Sequence, residues 1–137
     1  MALFYADASA LVKLVRDEPE SAALRAFLAD ADIVSSELAL TEVPRAVRRA
    51  AARDARLTLD VLIGRAGDTL DAVALLPLDR ALLLAAGALA EPALRALDAI
   101  HVASAVDLGP LDGFVTYDER QAAAARLAGL RTMSPGS

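Results

Sequence analysis

Two acidic side chains stand where strands should end, a third near the start of a helix and a fourth inside one, and together they have the makings of a divalent-cation site. Asp7 closes the apolar run Leu3-Phe4-Tyr5-Ala6, and Asp118 follows Gly113-Phe114-Val115-Thr116-Tyr117. Glu42 lies in Leu40-Thr41-Glu42-Val43, and Asp98 in Ala96-Leu97-Asp98-Ala99-Ile100. A carboxylate among apolar neighbours is costly unless something neutralises it. Several carboxylates gathered in one place also raise one another's pKa values. A divalent ion removes both penalties. With ligands that are all oxygen, Mg²⁺ or Mn²⁺ fits better than zinc or copper. The chain has no cysteine and one histidine, His101, which excludes a zinc site of the Cys/His kind. Mg²⁺ keeps several waters and prefers one or two carboxylates plus phosphate oxygens. That is the layout in which a metal-activated water attacks a phosphodiester. An Asp after a strand is also an ordinary turn residue or helix cap, so position alone leaves that reading open.

For the acids to meet, the elements carrying them must bring one edge of a sheet together. Leu3 to Ala6 reads as a buried parallel strand, and helices are expected over Ala8 to Arg16 and Pro19 to Ala29. A second strand spans Asp32 to Ser35. Ser36 then caps a long helix from about Glu37 to Arg53. A helix over Thr58 to Gly67 precedes a third strand, Asp71 to Leu76. Helices over Asp79 to Leu89 and Ala96 to Leu108 follow, the latter stopped by Gly109-Pro110. Gly113 to Tyr117 is a fourth strand, Glu119 to Ala128 a helix, and Leu130 to Met133 a short last strand. Strands alternating with helices predict an α/β fold with a parallel sheet covered on both faces. In such sheets ligands gather at the carboxyl ends of the strands, and there Asp7 and Asp118 share an edge.

The chain has 137 residues, enough for one domain with its own core. No linker or repeat divides it. Ser134 to Ser137 reads as a disordered tail. The longest apolar stretch, Ala81 to Ala90, is half of the roughly 20 residues a membrane helix needs. The N-terminus has no basic stretch of the signal-peptide kind. A cytoplasmic protein without a membrane segment is therefore expected. The net charge of −5 is the wrong sign for a nucleic-acid binder, since affinity for phosphate comes from Lys and Arg. A local basic patch or bound cations would have to supply it. Arg45, Arg48, Arg49, Arg53 and Arg56 follow Glu42 closely. At about 100° per residue, Arg45, Arg49, Arg53 and Arg56 fall within about 60° of its direction. The stripe either steers an RNA backbone, chiefly through Arg45, Arg49 and Arg53, or is an ordinary solvated helix face.

The residues around each acid carry a resemblance. Tyr5-Ala6-Asp7-Ala8-Ser9-Ala10-Leu11-Val12-Lys13-Leu14 resembles the opening of a VapC-type PIN domain. Leu40-Thr41-Glu42-Val43 and Leu97-Asp98-Ala99-Ile100-His101-Val102-Ala103-Ser104-Ala105 resemble its second and third acidic motifs. Phe114-Val115-Thr116-Tyr117-Asp118-Glu119-Arg120 resembles the fourth, and the likeness runs from about Leu3 to Met133. It implies a PIN-like fold, a parallel sheet of four or five strands flanked by helices, in a single domain over residues 1–133. It implies an endoribonuclease toxin of a type II toxin–antitoxin system, dependent on Mg²⁺ or Mn²⁺ and leaving a 5′-phosphate and a 3′-hydroxyl. It also implies a homodimer and a VapB-type antitoxin whose C-terminal segment occupies the active-site groove. The implied site is Asp7, Glu42, Asp98 and Asp118, with Thr116 and Ser9 supporting it by their hydroxyls and Glu42 reaching the metal through water. One departure is Pro44, two residues after Glu42. Proline lacks an N–H and clashes with the carbonyl four residues back, so the helix is expected to kink there or to begin later.

Other residues have blander readings. His101, one turn after Asp98, either joins the metal or, the reading favoured here, packs and hydrogen-bonds nearby. Lys13 reads as a snorkelling surface residue, Tyr117 as packing, and Asp79, Asp107 and Asp112 as a cap and turn residues. Leu82, Leu83, Leu84 and Leu89 are core or dimer surface. Two competing functions are weighed. A phospho-acceptor receiver domain also gathers acids around Mg²⁺, but it wants a lysine late in the chain, and the only lysine is Lys13. A catalytically silent PIN scaffold for protein binding is opposed by the presence of all four acids.

Overall fold

Short apolar runs alternate with helical stretches, and the computed structural model, which describes residues 1–137, orders them into five strands and seven helices. They are β1 (Leu3–Ala6), α1 (Ala8–Val15), α2 (Ser21–Leu28), β2 (Asp32–Ser36), α3 (Ala39–Arg53) and α4 (Leu59–Asp71). Then come β3 (Ala74–Leu76), α5 (Arg80–Gly87), α6 (Ala96–Leu108), β4 (Gly113–Val115), α7 (Glu119–Leu127) and β5 (Thr132–Met133). The sheet order is β3-β2-β1-β4-β5, and every pairing is parallel. The fold is thus α/β with a five-stranded parallel sheet, as expected.

The order reverses at β1. The chain lays β2 and β3 to one side of it, then returns to place β4 on the other. β1 and β4 align Ala6 with Val115, so the residues just after them emerge side by side. Alternation along β1 divides the core. Phe4 and Ala6 join Leu11, Val15, Val43, Val47, Leu62 and Leu70 on the face covered by α1 to α4. Tyr5 joins Phe114, Val102, Ala105 and Ala125 on the face covered by α6 and α7. Burying each large side chain contributes roughly 1.5–3 kcal/mol. The two faces therefore hold the β1/β4 edge between rigid layers. α6 lies between the sheet and α5, through Ala99 and Ala103 against Leu82 and Ala86. That explains why it is apolar nearly all round rather than striped.

Some boundaries differ from the sequence expectation. α4 runs through Gly67 to Asp71, so β3 starts at Ala74. Gly64 and Gly67 face open space and cost only about 1 kcal/mol each relative to alanine. Leu62, Ala66 and Leu70, spaced by four, bury against the core and outweigh that. α3 begins at Ala39 rather than Glu37. Ser36 caps a turn instead, its Oγ accepting from the Leu38 N–H at 3.1 Å. The helix passes through Pro44. The carbonyl deprived of its partner there is that of Leu40, which is exposed and open to water. β4 ends at Val115, not Tyr117. Gly113 packs closely against β5: a Cβ there would lie 2.6 Å from Met133 Sδ and would have to displace that flexible side chain. Residues 134–137, read from the sequence as a tail, make contacts: the Tyr117 hydroxyl donates to the Pro135 carbonyl at 2.7 Å, and Gly136 lies against Ala23 and Glu20. No helix is long and apolar enough to cross a membrane.

Candidate active site

Asp7 is the first residue past β1. Its N–H still donates to the Val115 carbonyl at 3.2 Å, which pins it to the β1/β4 edge. It also caps α1, with Oδ1 accepting from the Ala10 N–H at 3.0 Å and from Ser9 Oγ at 2.6 Å. Thr116 Oγ1 donates to Oδ2. An ionised carboxylate offers about four lone-pair positions. Three are used, and the fourth, on Oδ2, is free. Asp7 is 1% exposed. Burial pushes its pKa up, opposed by the bonds from Ser9, Thr116 and Ala10. The two hydroxyls also brace the neighbouring loop, since Ser9 Oγ accepts from the Tyr117 N–H at 2.9 Å and Thr116 Oγ1 from the Asp118 N–H at 3.1 Å.

Asp118 caps α7 through Oδ1, which accepts from the N–H groups of Arg120 and Gln121 at 2.9 and 3.2 Å. Asp98 sits in the first turn of α6, where the helix dipole favours an anion. Even so its pKa is raised, first by burial, then by the negative charges of Asp118, Asp7 and Glu42. Asp98 and Asp118 share the wall of a wholly polar cavity of about 390 Å³ with Arg95, Glu119 and Arg120. Buried Gln121 ties the two helices, its Nε2 donating to the Asp98 carbonyl at 3.0 Å. The sequence offered no signal for Gln121.

Glu42 arrives from α3, beside the stripe of Ala39, Val43 and Val47 that anchors that helix. Its Oε1 lies 2.6 Å from His101 Nε2, and His101 Nδ1 lies 2.8 Å from the Tyr5 hydroxyl. The histidine is 1% exposed. It hydrogen-bonds, as favoured, but to residues far away in sequence. The sequence assigns Tyr5 no role beyond the strand. The signal was there in retrospect, since a lone histidine on an apolar helix needs two polar partners.

A second cavity, about 580 Å³, opens beside Glu42 and is lined by Ser9, Lys13, Thr41, Arg45, Arg49 and Tyr117 among others. Arg45 and Arg49 are exposed and form no ion pair. Arg53 and Arg56 do not line this cavity. Arg56 leaves the stripe altogether: it lies beyond α3 and pairs with Asp54 at 2.9 Å, because the helix ends at Arg53. Lys13 is not a free surface residue either. Its Nζ lies 2.8 Å from Glu20 and 4.9 Å over the Tyr117 ring. Burial pushes the Tyr117 phenol up to about 12. Asp79 caps α5, and Asp112 accepts from the Leu3 N–H. Leu82 is buried, while Leu83 and Leu84 are exposed.

The donor set on this rim suits a hard cation: all oxygen, one lone pair of Asp7 free, and Asp98 repelled by three carboxylates. No three of the acidic and imidazole groups stand close enough to ligate one ion directly. An ion that keeps several waters needs only one or two carboxylates, so the residues fit such a group in their chemistry.

Residues 4–127 match the family model described as PIN domain. The curated relatives include Ribonuclease VapC46 of Mycobacterium tuberculosis, 41% identical over 143 residues that span 98% of this chain and 99% of the relative. Ribonuclease VapC35 of the same organism is 37% identical over 140 residues, spanning 98% of each chain. Ribonuclease VapC47, also from Mycobacterium tuberculosis, is 36% identical over 147 residues, again 98% of each chain.

Proposed function

The chain belongs to the PIN-domain family, with VapC-type members as near full-length relatives, and on that premise we propose that it is an endoribonuclease toxin. It acts with Mg²⁺ or Mn²⁺, in the cytoplasm, as a homodimer whose subunit is one domain over residues 1–133. A VapB-type antitoxin restrains it. The observation that supports this reading is the raised pKa of Asp98, which burial and then the charges of Asp118, Asp7 and Glu42 push up, near the β1/β4 switch point.

Asp7, Asp98 and Asp118 would hold the ion between them, one or two directly and the rest, like Glu42, through its waters. When bound, the ion supplies an acidified water and charge stabilisation at the phosphorus. The protein does the rest. Ser9 and Thr116 orient the Asp7 carboxylate. Arg45 and Arg49 draw the RNA backbone along the groove, and the layers of α1 to α4 and α6 to α7 keep the rim rigid. Attack of water at phosphorus breaks the bond to the 3′-oxygen, which takes up a proton. The products are a 3′-hydroxyl and a 5′-phosphate.

Cellular RNA incubated with purified protein tests this. Discrete fragments are expected with Mg²⁺ or Mn²⁺ and none with EDTA. Asp7→Asn or Asp98→Asn should lower the rate on the order of a hundredfold or more. Undiminished cleavage by Asp98→Asn would sink the proposed site. Absence of cleavage by folded wild type under all conditions would return the chain to a silent scaffold.

A further inference from the structure

His101 is the chain's only histidine, and the structure spends both of its ring nitrogens on a line from β1 to α3. Tyr5 belongs to the sheet, His101 to the helical layer on one face, and Glu42 to the layer on the other. The contacts at 2.8 and 2.6 Å therefore span the carboxyl edge of the sheet.

The protons follow from the partners. Ionised Glu42 can only accept, so Nε2 carries the hydrogen and donates to Oε1. Nδ1 is then bare and accepts from the Tyr5 hydroxyl. Glu42 thus selects the tautomer, and Tyr5, donating to the bare nitrogen, holds the ring in place. Glu42 needs such a hold. It is a long side chain, 17% exposed, whose ordering costs rotamer entropy. Oε1 is taken by His101, and no hydrogen bond engages Oε2.

We propose that His101, its tautomer set by the Glu42 carboxylate and its ring held by Tyr5, is a positioning residue that aims the free oxygen of Glu42 at the acidic rim. The inference rests on the metal-dependent reading above. It assigns His101 no contact with metal or RNA.

The test has two readouts. Nitrogen NMR of the single imidazole in the metal-free wild type should show Nε2–H with bare Nδ1, and Glu42→Gln, whose amide can donate as well as accept, should give a tautomer mixture. A wild-type ring protonated on Nδ1 would overturn the assignment. Mn²⁺ affinity, followed by electron paramagnetic resonance, should fall roughly tenfold or more in His101→Leu. It should recover in His101→Gln, whose amide can donate to Glu42 and accept from Tyr5. Combining His101→Leu with Glu42→Gln should lose no more than Glu42→Gln alone. Full additivity of the two losses would overturn the proposal, as would wild-type Mn²⁺ affinity in a folded His101→Leu. If His101→Leu does not fold, Tyr5→Phe and His101→Gln decide: the first should weaken Mn²⁺ binding and the second retain it, and the reverse pattern would overturn the proposal. Wild type that neither binds Mn²⁺ nor cleaves RNA overturns the ribonuclease reading itself, whereas normal wild type with an indifferent His101 overturns only this one.

Discussion

At Asp98, burial and three neighbouring carboxylates push in the same direction, and both raise its pKa. Its folded-state value lies above the unfolded one. Between the two values the folded chain holds more proton than the unfolded chain, so stability falls as pH rises through that window. The cost is absent when the pH is low enough to protonate Asp98 in both states. Asp98→Asn removes the titrating charge. In EDTA this variant is expected to melt a few degrees above wild type near pH 8, with the gap closing as the pH is lowered. Thermal melts across that range check it, and a variant that melts below wild type near pH 8 would show that the ionised carboxylate carries no net penalty. Asp7 differs in having three hydrogen-bond donors to offset its burial.

α3 does two jobs with neighbouring faces. Ala39, Val43 and Val47 bury, which orients Glu42, Arg45 and Arg49 toward the groove. Arg53 lies at the helix end and Arg56 beyond it, so the charged stripe read from periodicity divides into a groove part and a distal part. Each phosphate contact on single-stranded RNA contributes about 0.7 to the slope of log affinity against log salt. Arg45→Ala with Arg49→Ala should therefore flatten that slope by about 1.4, while Arg53→Ala with Arg56→Ala leaves it nearly unchanged. RNA binding at several salt concentrations, in the Asp7→Asn background to prevent cleavage, distinguishes the pairs. Equal effects of the two would assign the arginines to bulk charge rather than to a groove.

For the molecule as a whole, the net charge of −5 and the mutual repulsion at the rim both favour binding a cation to the folded state. The unfolded chain scatters the four acids and offers no such site. A ligand that binds only the native state stabilises it by about 2.7 kcal/mol at a hundredfold excess over its Kd. Mn²⁺ should accordingly raise the wild-type melting temperature by several degrees and have little effect on Asp7→Asn. Equal shifts in both would place the ion away from this rim. The same whole-molecule view explains the core. Layers on both faces of the sheet leave its carboxyl edge as the place where polar groups from β1, α3, α6 and the β4–α7 turn can meet.

The sequence by itself determined what depends on near neighbours. Apolar runs and helical spacing marked all five strands and all seven helices, because side-chain periodicity reports which face of an element is buried. Asp7 and Asp118 were legible as strand-end acids for the same reason. Element limits were less legible where packing outweighed propensity, as when Leu70 carried α4 past Gly67. The resemblance in the flanking residues led to Thr116, which local spacing would not have singled out. Only the tertiary structure decided the pairings. Strand order set β1 beside β4, so that Thr116 reaches Asp7 across 109 residues, Tyr5 reaches His101 across 96, and His101 reaches Glu42 across 59. A hydrogen bond acts over about 3 Å, and nothing in a local pattern tells which distant partner the packing of two helical layers will bring within that reach.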